Sequence, residues 1–84
     1  MKTLDVNTIV KKDGQKIKRV SKSFITNESM TVEHIKGVIK GVIKGELGFP
    51  FEVVKEEFYY MSKELKDTDS APFKSGNEFI LTIK

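Results

Sequence analysis

The sequence predicts a small α+β domain in which one helix packs across a mixed four-stranded sheet, with the elements in the order ββαββ. Three observations predict it. Asp13-Gly14 separates two segments with strand character, residues 32–43 carry apolar side chains at helical spacing, and residues 79–83 are almost entirely apolar. A chain of 84 residues is long enough for one core and too short for two. We therefore expect residues 1–84 to form a single domain.

The first two strands are predicted to form a hairpin. Residues 3–12 are rich in β-branched and aliphatic side chains that alternate with polar ones, which is typical of a strand with one buried face. Asp-Gly is the strongest signal for a two-residue type I′ turn, because both central positions need a positive φ. Residues 15–26 then return as the second strand. A strict two-residue turn would place Val6 opposite Ser21, so the apolar positions drift out of phase and we expect a bulge near Arg19.

The third element is predicted to be a helix that follows Thr31. The hydroxyl of Thr31 can cap the helix, and Glu33 places a negative charge in the first turn, where the helix dipole favours it. Gly45 and Gly48 supply terminal positions, and Pro50 prevents the helix from continuing. The apolar positions fall on one face of this helix: Val32, Ile35, Val38, Ile39, Val42 and Ile43.

Two further strands are predicted in the rest of the chain. Residues 51–62 are rich in valine and aromatic side chains, whereas residues 63–77 are polar and indicate a long loop with at most a brief element around 71–73. Residues 79–83 form the last strand. For this order of elements we expect the last strand to pair parallel to the first in the middle of the sheet, with the helix covering one face. A central position explains the apolar character of residues 79–83.

Composition excludes several kinds of site. The chain has no cysteine, which excludes disulfides and thiolate metal sites, and its single histidine, His34, excludes the usual zinc constellations. No nucleophile–base pair and no phosphate-binding glycine loop is recognisable, so we expect no enzyme activity, no cofactor and no metal. No segment resembles a signal peptide or a transmembrane span, so we expect a cytoplasmic protein without membrane association. The formal charge of +3 is mild, and nucleic-acid binding would need a local basic stripe.

Several segments resemble the ubiquitin family in residue type, spacing and order. Residues 31–36, Thr-Val-Glu-His-Ile-Lys, resemble the opening of the ubiquitin helix, and residues 48–50, Gly-Phe-Pro, resemble the exit that follows it. Residues 58–67 are similar to the apolar strand and following turn of that family, and residues 74–84 are similar to its final strand. The resemblance implies a ubiquitin-like β-grasp fold. The chain stops at Lys84 without the Gly-Gly tail of the family's modifiers, so we do not expect conjugation.

The resemblance also implies a binding face. In the family, this is the exposed side of the sheet, and carried over position by position it contains Tyr59, Ile80 and Thr82, with Met61 nearby. Alternation along the strand supports an outward Tyr59, because both of its aromatic neighbours are then expected in the core. Exposed aromatic residues are enriched at binding sites, although a lone tyrosine on a sheet also serves cross-strand packing. The first hypothesis is a non-enzymatic adaptor or regulatory module that binds another protein, as a monomer or weak dimer.

A repeated Lys-Gly-Val-Ile motif over residues 36–45 suggests a second hypothesis. Spacing of four residues places its lysines in one stripe along the helix, beside a stripe of glycines. Such a stripe could bind nucleic acid or another polyanion, together with lysines of the second strand. The alternatives are a solvated polar helix face and, on the second strand, protection of a sheet edge against aggregation. The candidate polyanion-binding residues are Lys36, Lys40, Lys44, Lys18 and Lys22.

Overall fold

Five strands and one helix make up the part of the chain that the computed structural model describes, which is residues 2–26, 29–70 and 76–84. The elements are β1 (Lys2–Lys12), β2 (Gln15–Thr26), α1 (Val32–Leu47), β3 (Val53–Tyr60), β4 (Lys63–Glu64) and β5 (Asn77–Ile83). The predicted α+β class with a single helix is confirmed for these residues. The structure differs from the predicted four strands, because the two-residue strand β4 follows β3. The element predicted around residues 71–73 lies outside the described residues.

Both hairpins turn through two residues with positive φ. Asp13 and Gly14 join β1 to β2 at φ values of 54° and 76°, as the predicted type I′ turn requires. Met61 and Ser62 join β3 to β4 at φ values of 49° and 71°. A positive φ is uncommon for such residues, so the sequence carries no signal for the second turn. This is why β4 escaped prediction.

A bulge interrupts the pairing of β1 with β2. The register shifts between Val10 and Lys11, where Ile17 is the extra residue on β2. The predicted bulge near Arg19 is therefore present, two residues closer to the turn. It brings the inward positions of the two strands back into phase over the rest of the hairpin.

β5 lies in the middle of the sheet, whose strand order is β2-β1-β5-β3-β4. It pairs parallel to β1, from Val6 opposite Asn77 to Lys12 opposite Ile83, and antiparallel to β3. The predicted parallel, central pairing of the last strand is confirmed. The arrangement is compatible with a β-grasp-like fold.

The ends of α1 are capped by local residues. The hydroxyl of Thr31 accepts a hydrogen bond from the backbone N–H of His34 at 3.4 Å. The helix runs through Gly45, one of the two predicted terminal positions, and ends at Gly48, whose φ of 70° suits glycine. The N–H of Gly48 donates to the carbonyl of Lys44 at 3.2 Å.

The start of α1 is also covered by the chain segment that follows β4. The N–H of Val32 donates to the carbonyl of Asp69 at 2.9 Å, and the N–H of Glu33 donates to the carbonyl of Asp67 at 3.1 Å. Because these first-turn amides already have backbone partners, the positive end of the helix is not open to an anion.

The hydrophobic core lies between α1 and one face of the sheet. Phe58 and Phe79 are cross-strand partners at its centre, with ring centroids 6.2 Å apart. Phe58 is in the core as predicted, whereas Tyr60 is only half-buried. The buried apolar residues of the described chain, none more than 2% exposed, are Leu4, Val6, Val10, Val32, Ile35, Ile39, Ile43, Phe58, Phe79, Leu81 and Ile83.

Candidate functional site

The candidate site is the face of the sheet opposite α1, termed here the open face. Successive side chains of a strand point to opposite faces, and paired residues on adjacent strands share a face. The neighbours of the buried core residues therefore point away from the helix. The open face is formed by Thr3, Asp5, Asn7, Ile9 and Lys11 of β1, Lys16, Arg19, Ser21, Ser23 and Ile25 of β2, Lys55, Glu57 and Tyr59 of β3, Glu64 of β4, and Glu78, Ile80 and Thr82 of β5. None of these side chains is buried.

Three of the four predicted partner-binding residues lie on the open face. Tyr59, Ile80 and Thr82 are half-buried; Ile80 and Thr82 follow one another along β5, and Tyr59 lies on β3, diagonal to Ile80. Met61 occupies the β3–β4 turn at the rim of the face, where its side chain is 72% exposed. The structure thus brings the first three together and leaves Met61 at the edge.

The centre of the open face is apolar and consists of Ile80, which was predicted from the sequence, and Ile9, which was not. Ile80 lies directly beside Ile9 on β1, and both are half-buried. A signal for Ile9 was present, because Thr8 and Val10 are buried on the helix side of β1 and Ile9 lies between them in an alternating strand. Its contact with Ile80 depends on the parallel register of β1 and β5, which the sequence does not show.

A row of lysines lies at the end of the open face near the β1–β2 turn, termed the basic half. Lys11 faces Lys16 on β2 and Thr82 on β5, and Thr82 in turn faces Lys55 on β3. Three positive charges therefore cross the sheet in one row. Lys55 also lies 3.6 Å from a carboxylate oxygen of Glu57 and remains 65% exposed.

Carboxylates lie at the opposite end, termed the acidic half. Tyr59 faces Glu78 on one side and Glu64 on the other, so that two carboxylates flank the ring. Asp5 lies on β1 further from the basic half, six positions before Lys11. Between the halves runs a middle row in which Arg19, Ile9, Ile80 and Glu57 follow one another across the sheet. The open face is therefore electrically polarised along its strands.

Tyr59 and Glu57 interact with each other on β3. The Tyr59 hydroxyl donates a hydrogen bond to a carboxylate oxygen of Glu57. This bond is the main cause that lowers the pKa of Glu57; burial opposes it, and the charges of Lys55 and Lys11 add to it. The same bond, with burial and the charges of Glu57 and Glu64, raises the pKa of Tyr59 to about 12. The hydrogen bond thus orients the phenol along the sheet.

A shallow cavity of about 570 Å³ lies on the open face where β2, β1 and β5 meet. Most of its lining residues are polar or charged, and they include both charge signs, for example Asp5, Arg19 and Glu78. Ser21 donates to the side-chain oxygen of Asn7 at 3.1 Å within this lining. Such a surface suits polar side chains of a macromolecular partner better than an apolar small molecule.

Two lysines of the proposed helix stripe are engaged in ion pairs. Lys36 lies 2.7 Å from Asp67 with its side chain only 11% exposed, and Lys40 lies 3.0 Å from Glu56. Each charge is thereby partly neutralised by a carboxylate of the same chain.

The remaining polyanion candidates divide between β2 and the helix. Lys18 and Lys22 lie 3.9 and 3.8 Å from Glu46, so this pair shares one carboxylate. Lys44 has no ion-pair partner among the described residues. Four of the five candidate lysines therefore face a carboxylate, and the stripe is less positive than its sequence suggests.

The glycine stripe of α1 borders a second concavity of about 350 Å³. Its lining combines Gly37 and Gly41 with Lys40, Lys44, Phe51 and Val53. A β-carbon placed at either glycine would meet no atom within 4 Å. Close packing within the domain therefore does not require these glycines.

Features of other classes of site are missing from the described ranges. Nowhere in residues 2–26, 29–70 and 76–84 do three or more His, Asp or Glu side chains converge as a metal site would require. No helix in those ranges has the length and apolar character that a membrane span requires. Comparison with known proteins adds no relative: no protein-family model matches the chain, and no curated protein is significantly similar to it.

Proposed function

We propose that this chain is a non-catalytic, ubiquitin-like β-grasp module that binds another protein through its open face. The strand order supports the fold, because β5 lies between β1 and β3 and runs parallel to β1. The observation that carries the binding role is an apolar centre, Ile9 and Ile80, set between a basic half and an acidic half on a sheet face that has no buried side chain.

This arrangement matches the usual anatomy of protein interfaces. Their centres are depleted in charge, while charged and polar residues form the rim and select the partner's orientation. The open face is also stiff, because its strands are hydrogen-bonded to one another and their reverse side is packed against α1. A preorganised surface loses little conformational entropy on binding. Tyr59 adds an aromatic side chain whose hydroxyl is already held by Glu57.

Polyanion binding through the helix stripe remains a prediction with less support. A nucleic-acid ligand would have to compete with Asp67 for Lys36 and with Glu56 for Lys40. Lys44 alone would meet a phosphate without displacing a carboxylate of the described chain. Counterion release from a single lysine contributes little affinity.

Quantitative affinity capture tests the proposal. The wild-type domain, an Ile80→Asp variant and a Lys44→Asp control serve as baits for cell extract, and mass spectrometry quantifies the proteins that bind. A charge at the centre of the interface should weaken partner binding by about 30-fold or more, the effect of losing a hot-spot residue. Lys44→Asp changes an exposed position on the helix and should leave the bound set unchanged.

Circular dichroism and thermal unfolding establish that both variants are folded before the capture is interpreted. Retention of every partner by folded Ile80→Asp would refute binding at the open face. Loss of partners with Lys44→Asp, together with binding that falls steeply as salt is added, would instead favour the helix stripe.

A further inference from the structure

We propose that a second copy of this chain binds the open face, forming a two-fold symmetric dimer in which the two sheets lie face to face. The inference rests on the proposed function, in that it also takes the open face as a binding surface. It goes further by naming the partner from the distribution of charge.

The charges of the open face are complementary to themselves. Three lysines occupy the basic half and three carboxylates occupy the acidic half, at opposite ends of the same strands: Lys11, Lys16 and Lys55, and Asp5, Glu64 and Glu78. A surface with this pattern repels a copy placed in the same orientation. It attracts a copy turned end over end.

A two-fold axis running across the strands produces the favourable orientation. This axis places each strand over the same strand of the partner, in the reverse direction, as an isologous interface requires. With the axis through the row of Ile9 and Ile80, Lys11 lies over the partner's Asn7, next to the partner's Glu78. Lys55 lies over the partner's Tyr59, between the partner's Glu64 and the partner's Glu78. A two-fold axis along the strands would instead place Lys16 over the partner's Lys55 and bring the two basic halves together, although it would also pair Arg19 with the partner's Glu57.

The middle row supplies the apolar contact. Ile9 and Ile80 of each copy meet at the centre, where apolar contact is favourable. At the two ends of this row, Arg19 meets the partner's Arg19 and Glu57 meets the partner's Glu57, and these two contacts between like charges oppose the dimer. The domain measures 34 by 24 Å in its two longer directions. A rectangle of those dimensions sets an upper limit of roughly 800 Å² on the area that one face can bury, which is close to one side of a standard interface. Because its apolar centre is small, we expect a dissociation constant on the order of micromolar.

The exposed edge of β2 is a poorer place for a second copy. Its inward-facing Lys18 and Lys22 share Glu46 with each other. Antiparallel pairing of two β2 strands centred on Val20 would set Lys18 of each copy opposite Lys22 of the other, which is repulsive. On the open face, by contrast, the basic half of each copy lies near the acidic half of the other, which is attractive.

A charge-swap experiment tests the dimer directly. One variant reverses the basic half (Lys11→Glu, Lys55→Glu), and the other reverses the acidic half (Asp5→Lys, Glu78→Lys). Sedimentation velocity at low salt measures association of the wild type, of each variant alone, and of an equimolar mixture. We expect the wild type to dimerise, each variant alone to bind itself at least about tenfold more weakly, and the mixture to recover a heterodimer.

The controls separate this inference from the proposed function. Lys44→Glu, on the helix side, should leave wild-type dimerisation unchanged, and added salt should weaken it. Dimers that tolerate both charge reversals would refute the open face as the dimer interface. A wild type that stays monomeric at every concentration, while folded Ile80→Asp still loses captured partners, would overturn the dimer and leave the proposed function standing. Failure of both experiments would reject both.

Discussion

The two faces of the sheet are built from alternate residues of the same strands, yet they obey different constraints. The centre of the face under α1 is apolar and buried, with Phe58 and Phe79 at 0% exposure. The open face carries charges in ordered rows and keeps only Ile9 and Ile80 as an apolar centre. Neighbouring residues such as Phe58 and Tyr59 therefore lie in different environments, Phe58 in the core and Tyr59 on the face proposed to bind a partner. The difference teaches that, in so small a domain, the period-two alternation of strands lets one sheet carry both a core and the proposed binding surface.

The largest expected contrast between the faces is in stability. Phe58→Ala removes a fully buried ring and should lower the free energy of unfolding by about 3–5 kcal/mol. Ile80→Ala, on the half-buried open face, should cost about 1 kcal/mol, because much of its surface already contacts water. Urea denaturation followed by circular dichroism measures both. Equal losses for the two variants would contradict the division of roles between the faces.

A smaller effect concerns the outer side of the helix that separates the faces. Gly37→Ala and Gly41→Ala should each raise the free energy of unfolding by about 0.5–1 kcal/mol, because both sites are helical and a β-carbon there meets no atom within 4 Å. Gly48→Ala is the matched control, and it should be destabilising because Gly48 has a φ of 70°. Thermal unfolding of the three variants decides the point. A loss of stability at Gly37 or Gly41 would mean that the outer side of α1 is packed after all.

The smallest effect is a shift in the titration of Tyr59 on the open face. In a Tyr60→Phe background, ultraviolet absorbance follows Tyr59 alone, and its pKa should be about 12. Glu57→Ala should lower this pKa towards the ordinary value of 10.0, because it removes the hydrogen bond to the neutral phenol and the nearby negative charge. An unchanged titration in the folded variant would show that Glu57 does not hold the phenol.

The same pair of groups sets a pH window for stability. The pKa of Tyr59 is raised in the folded state, so the contribution of the bond is complete below pH 10 and is lost as the pH rises towards 12. The pKa of Glu57 is lowered from its ordinary value of 4.5, so the contribution is also lost as the pH falls below that value through the folded-state pKa. In urea denaturation measured across this pH range, Tyr59→Phe should abolish the dependence at high pH and weaken the one at low pH, because the charges of Lys55 and Lys11 still act on Glu57.

Most of the fold followed from local chemistry in the sequence. Asp13-Gly14 identified the first turn, Thr31 and Gly48 marked the helix ends, and the apolar run at residues 79–83 indicated a central strand. β4 did not follow, because its turn at Met61 and Ser62 has no residue that favours positive φ. The exact position of the bulge on β2 could not be predicted either, because it depends on how the whole hairpin packs.

The site was predictable only in part. The resemblance to the ubiquitin family placed Tyr59, Ile80 and Thr82 on one face, and alternation along the strand supported Tyr59. The same alternation along β1 could have added Ile9. The charge segregation could not be derived, because it depends on which outward residues become neighbours through pairing of β1 with β5. The ion pairs of Lys36 with Asp67 and of Lys40 with Glu56 could not be predicted either, because the partners are distant along the chain and meet only in the folded domain.

The central position of β5 has a consequence for how the domain is assembled in time. In the described sheet, the β1–β2 hairpin and the β3–β4 hairpin are joined only through β5. Val6 and Asn77, which begin the parallel pairing, are about 70 positions apart along the chain. Closing so long a loop is entropically unfavourable and slows folding, and an isolated hairpin is marginally stable at best. Until residues 77–83 have left the ribosome, the two hairpins have no strand between them to join them into one sheet. The cooperative sheet can therefore form only after these last residues are available.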